Sequence, residues 1–128
     1  MEIIANAVQT VNSNQNVYFT DTVTCGGPCV SHRDNSGLVT LRGLTNQCRA
    51  RFKVTFGGNI AVPEGGTAGP IQLALAIDGE AVSSTTMIVT PAAVGDYFNV
   101  FSAIFIDVPK GCCVTVSVQN TTTTAVDV

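Results

Sequence analysis

The stretch CRARFKVTF, residues 48–56, sets Arg49, Arg51, Lys53 and Thr55 against Ala50, Phe52, Val54 and Phe56. A two-residue alternation of this kind suits a β-strand with one buried face and suits no helix. The same rhythm returns along the chain. SGLVTLRG places Leu38, Thr40 and Arg42 on one side and Val39 and Leu41 on the other. PIQLALAIDGEAV reads as a strand entering a hairpin at Asp78-Gly79, a dipeptide that favours the tight turns of hairpins. TTMIVTP is a short strand ending at Pro91, and DYFNVFSAIFIDVP is a long one closed by Pro109. CCVTVSVQN alternates again, and TTTTAVDV has the β-branched composition of strands. Segments such as GGNIAVPEGGTAGP separate these runs with turn-forming residues. Nowhere does the helical period of about 3.6 residues persist over the length a helix needs. The expected class is all-β, a sandwich or barrel of antiparallel strands.

Length and charge narrow the reading further. At 128 residues the chain makes a single domain, 1–128, with 1–16 as an extended N-terminal arm or edge strand. With 45% apolar and 12% charged residues it has the opposite balance from a disordered chain. A net charge of −3 and six Lys and Arg cannot form a basic groove, so nucleic acid is not an expected partner. No apolar run approaches the roughly 18–20 residues of a membrane helix. MEIIANAVQT lacks the basic and apolar regions of a signal peptide, so synthesis in the cytoplasm is expected.

The long strand has two unequal faces. Phe98, Val100, Ile104 and Ile106 share one with Ser102, the expected core side. The other carries Tyr97, Asn99, Phe101, Ala103, Phe105 and Asp107, too aromatic for open solvent and too polar for a second core. Arg49, Arg51 and Lys53 likewise back a fully apolar side. A solvated face with stray aromatics is the plain reading. The preferred one is a subunit interface through Tyr97, Phe101, Phe105, Arg51 and Lys53, because exposed aromatic patches mark contacts.

TLRGLTNQCRARFKVTFGGNI, GPIQLALAIDGEAV and YFNVFSAIFIDVPKGCCVTVSVQNTT together resemble the tumour-necrosis-factor/C1q-like jelly roll over roughly residues 37–120. The nearest likeness is to the bacterial form at the C-terminus of the collagen-like spore glycoprotein BclA. The resemblance implies two five-stranded antiparallel sheets and a compact homotrimer whose inner sheet faces the three-fold axis. It also implies a structural or receptor-binding role, without catalysis or cofactor. The aromatic face would then be the trimer interface. Two departures stand out. Such domains close with a strand central to the inner sheet, and this sequence reaches Val128 where that strand should begin. Residues 121–128, the N-terminal MEIIANAVQTV or a strand added by another chain would have to supply it. No Gly-X-Y stalk precedes the domain, which favours a coat or decoration protein over a filament tip.

Five cysteines remain: Cys25, Cys29, Cys48, Cys112 and Cys113. CGGPC has three residues between its thiols and no helix after it, unlike a thioredoxin-type centre. A zinc half-site at Cys25 and Cys29 is chemically sound, with Cys48, the vicinal pair or His32 as partners. Disulfides among the five, or reduced thiols, complete the options. In the resembled topology the strand opened by Cys48 neighbours the end of the long strand. Cys48 should then meet Cys112 or Cys113, the other of the pair should be buried, and Asp107 should lie near Arg49.

Nothing points to catalysis. Ser31, His32 and Asp34 are sequence neighbours, whereas triad members converge from separate elements. The acidic residues are dispersed, with no pair placed for acid–base work. GGNIAVPEGG lacks the Lys-Ser/Thr and helix of a phosphate loop. Two functions stay open. One is a structural component of a particle surface, a phage capsid, tail or spore coat, in contact with other particle proteins. The other is a module whose loops CGGPCVSHRDNSG and AVPEGGTAG bind a glycan or receptor.

Overall fold

The computed structural model describes residues 1–24, 29–43 and 49–128. Its strands are β1 (Glu2–Ile4), β2 (Thr10–Val11), β3 (Asp21–Thr24), β4 (Val30–His32), β5 (Val39–Arg42) and β6 (Arg49–Ile60). There follow β7 (Ile71–Ile77), β8 (Glu80–Ala81), β9 (Met87–Val89), β10 (Phe98–Pro109), β11 (Cys113–Asn120) and β12 (Val126–Asp127). One turn of 3-10 helix, Ser83–Thr85, is the only helical element among the described residues. All strand pairings among the described residues are antiparallel.

Two layers pack in the manner of a sandwich. One is the six-stranded sheet β4-β5-β11-β7-β8, with β9 also on β7. Over it lies the β6–β10 ribbon, paired along its whole length from Phe98↔Ile60 to Pro109↔Arg49. Just past β6, Ala61 bridges to Asp127 of β12, and β12 pairs with β2. β1 and β3 form a separate ribbon. The sheets are therefore a six-stranded one and three two-stranded ones among the described residues, not two of five.

The core lies between the layers. Phe56, Ile60 and Val100 from the ribbon meet Leu73, Leu75 and Val118 from the sheet. A second cluster joins Ile106 and Val108 to Leu41 and Val116. β7 is buried from Leu73 through Ala76, and strands flank it on both edges. At an order of 1.5–3 kcal/mol for each fully buried large aliphatic side chain, these residues supply the main driving force for folding.

Turn chemistry fixes the connections. Asp78 and Gly79 take φ of 52° and 84°, the doubly positive pair of a two-residue hairpin, between Ile77 and Glu80. Asp78 Oδ1 also accepts a hydrogen bond from the Thr115 backbone at 2.9 Å, tying the turn to β11. The β10–β11 corner turns at Pro109-Lys110-Gly111-Cys112, closed by the Cys112 N–H to the Pro109 carbonyl at 3.0 Å, with Gly111 at φ 79°.

Three expectations need correction. Phe98 is 44% exposed and outside the core, because residues 92–99 form a solvent-exposed approach and burial starts at Val100. Cys112 and Cys113 are both exposed: Cys112 closes the corner turn and Cys113 begins β11 at the sheet's rim, so neither is buried. Within TTTTAVDV only Val126–Asp127 forms a strand.

Candidate interaction face

The outward face of the β6–β10 ribbon carries Arg51, Lys53, Thr55, Gly57 and Asn59 from β6. Across from them stand Asp107, Phe105, Ala103, Phe101 and Asn99 in the same order. Alternation dictates this, since the intervening residues fill the core. Phe101 is 66% exposed and Phe105 65%. Gly57, opposite Phe101, has no side chain to crowd the ring, which lies within van der Waals reach of the site a Cβ would take.

Polar groups frame the aromatics. The Arg51 guanidinium donates to both Asp107 carboxylate oxygens, Nε at 2.9 Å and Nη2 at 3.3 Å. That hydrogen bond, with the Coulombic attraction of Asp107, raises the Arg51 pKa above the ordinary arginine value. The charge already persists throughout the working pH range, so this shift introduces no pH dependence there. Lys53 Nζ stands 5.9 Å from the Phe105 ring centroid, within cation–π range. Asn99 donates to Asn59 Oδ1 at 3.3 Å. An apolar strip ends in an ion pair on one side and an amide pair on the other.

Of the five interface candidates, Arg51, Lys53, Phe101 and Phe105 converge on this face. Tyr97 precedes β10 and lines a groove with Gly58 and Asn59 instead. That groove borders the N-terminal segment.

The SHRD segment is held structurally. His32 Nε2 donates to the Ser36 carbonyl at 2.9 Å, and Nδ1 lies 2.9 Å from Thr22 Oγ1. Phe19 meets the imidazole edge-on, with centroids 6.3 Å apart. Ser31 Oγ accepts from Arg42 at 2.9 Å. Thus Ser31 and His32 engage different partners and do not bond to one another. Cys29 is half-buried, and Cys29, Cys112 and Cys113 are free thiols. The readings that involve Cys25 and Cys48, the CGGPC pair and the Cys48 staple, lie outside the described residues. Among the described residues no three His, Cys, Asp or Glu side chains come together as a metal site. Compared with known proteins, the chain matches no family model and no curated protein.

Proposed function

We propose that this chain is a non-enzymatic structural component of a particle surface, a jelly-roll subunit that assembles through the outward face of the β6–β10 ribbon. The observation that carries the reading is the exposed pair Phe101 and Phe105 on a regular strand, framed by Arg51–Asp107 and Asn59–Asn99. An apolar centre with a polar rim is the anatomy of protein–protein interfaces. Exposed apolar patches rimmed by polar residues mark protein contact sites. The trimer, and the setting on a virion or spore exterior, come from the likeness to the tumour-necrosis-factor/C1q-like and BclA-like domains.

Sedimentation equilibrium tests the assembly. The native chain should run as a trimer, and Phe101→Ser with Phe105→Ser should run as a folded monomer. A monomeric native chain at micromolar concentration would remove the basis of the reading. Mass spectrometry of particles purified from the source should find the protein in stoichiometric amounts. Selective glycan-array binding by the isolated chain, with no recovery in particles, would favour the loop-binding alternative.

A further inference from the structure

The outward face of the β6–β10 ribbon is built in levels, one register pair to each, and every residue of it is exposed. Arg51 stands across from Asp107, Lys53 from Phe105, Thr55 from Ala103, Gly57 from Phe101 and Asn59 from Asn99. At every level but the central one the β6 residue complements its β10 partner. A guanidinium meets a carboxylate at 2.9 Å, and an ammonium stands 5.9 Å from a ring centroid. A position without a side chain faces a large ring, and amide bonds to amide at 3.3 Å. The central level, Thr55 and Ala103, is small and uncharged.

Complements within one chain become complements between chains when the symmetry keeps the levels aligned. A rotation axis parallel to the strands carries each residue to its own level on the next copy. It also turns the β6 row of one copy toward the β10 row of its neighbour. Arg51 then comes to Asp107 of the partner subunit, Lys53 to Phe105 of the partner subunit and Asn59 to Asn99 of the partner subunit. Phe101 comes over Gly57 of the partner subunit, where no side chain blocks the ring. An axis across the strands, the other way to lay two such faces together, reverses the levels and sets β6 on β6. Phe101 then strikes Phe105 of the partner subunit, a projection on a projection, and Gly57 faces Lys53 of the partner subunit. Close packing favours the first arrangement, in which projections meet hollows. Charge favours it too. Reversal buries Arg51 and Asp107 against amides, so both charges lose water and gain no opposite charge in return. The parallel axis brings each of them a second opposite charge, and it places Lys53 over a ring from which water is excluded.

We infer that the occupant of this face is a second copy of the same chain, joined in register about an axis parallel to the ribbon, with the β6 row of one copy on the β10 row of the next. The inference rests on the proposed assembly through this face and adds to it the occupant and its orientation. The observation behind the choice of occupant is self-complementarity: each half of the face already presents, level by level, what the other half pairs with.

Disulfide mapping at the central level tests the orientation, since Thr55 and Ala103 take no part in the complementary pairs. Thr55→Cys and Ala103→Cys chains are mixed, oxidised with copper phenanthroline in air and digested, and the cross-linked peptides are identified by mass spectrometry. The new link should join position 55 of one chain to position 103 of the other. Gly57→Leu gives a second reading. Within the chain a Cβ there meets only the Phe101 ring, at 3.7 Å, an ordinary contact, so the subunit should fold as before. Across the boundary leucine takes the place into which the neighbouring Phe101 fits, and the Kd of assembly in sedimentation equilibrium should rise at least tenfold. Links joining 55 to 55 and 103 to 103 would overturn the inference while leaving the assembly face standing, as would a Gly57→Leu chain that assembles as tightly as the native one. A native chain that stays monomeric at micromolar concentration, or that assembles with no link at either position, would overturn the inference and the assembly face together.

Discussion

Individual side chains close gaps that the backbone leaves. Asn120 is fully buried, and its amide donates to the Val11 and Thr124 carbonyls at 2.9 Å while its oxygen accepts from the Thr122 N–H at 2.9 Å. It thereby joins β11, β2 and the turn before β12. Asn120→Ala leaves buried carbonyls unpaired and opens a cavity, so urea denaturation should show a loss of about 2–4 kcal/mol. Gly43 acts by having no side chain. Its N–H donates to the Cys112 carbonyl at 3.0 Å, its carbonyl accepts from Gly111 at 3.0 Å, and an added Cβ would overlap the Pro109 carbonyl oxygen. Since the obstacle is backbone, Gly43→Ala should cost roughly 2 kcal/mol or more in the same measurement. The corner it braces leaves the vicinal cysteines accessible. Maleimide added to the native protein should modify Cys112 and Cys113 well before the half-buried Cys29.

Strand edges show what could and could not be read in advance. β7 is flanked on one edge by β9 at Ile71–Leu73 and by β8 at Ala76–Ile77. Between them the Thr85 hydroxyl accepts from the Leu75 N–H at 3.0 Å and donates to the Val82 carbonyl at 2.7 Å. On the other edge, beyond the last β11 pair, the Thr122 hydroxyl accepts from the Gln72 N–H at 2.8 Å and donates to its carbonyl at 3.1 Å. Two threonines thus stand in for missing strand partners. Thr85→Val keeps the shape and removes the bonds, so it should destabilise the protein by about 1–3 kcal/mol in thermal or urea melts. A Thr in SSTTM or NTTTT gives no local sign of this role, because the partner it bonds is distant in sequence. The longer strands from β5 onward, the Asp78-Gly79 hairpin and the aromatic face of β10 were legible because each rests on nearby residues, whereas β3 and β4, of three or four residues, show no period to read. The β6–β10 register was not legible, since a slip of two residues keeps every side chain on its own face. Alternation alone therefore does not tell which residue of the Arg49 face stands directly across from Asp107; the strand pairing sets Arg51 there.

At the scale of the whole molecule, the two sides of the β6–β10 ribbon do different work. The inward side of Phe56, Val100, Ile106 and Val108 belongs to the core, and the outward side of Phe101 and Phe105 adds nothing to it. Removing the outward rings should therefore leave the isolated subunit within about 0.5 kcal/mol of its starting stability. It should still abolish whatever stability assembly adds. Mass action makes the distinction measurable, because an assembled native state melts at a temperature that rises with protein concentration. For a trimer of this chain length, a tenfold increase in concentration should raise Tm by about 3 °C. The Phe101→Ser, Phe105→Ser variant should melt at one temperature across the same range. If native chain and variant gave the same concentration-independent Tm, the outward rings would have no role in assembly, and the face would be a solvated sheet surface.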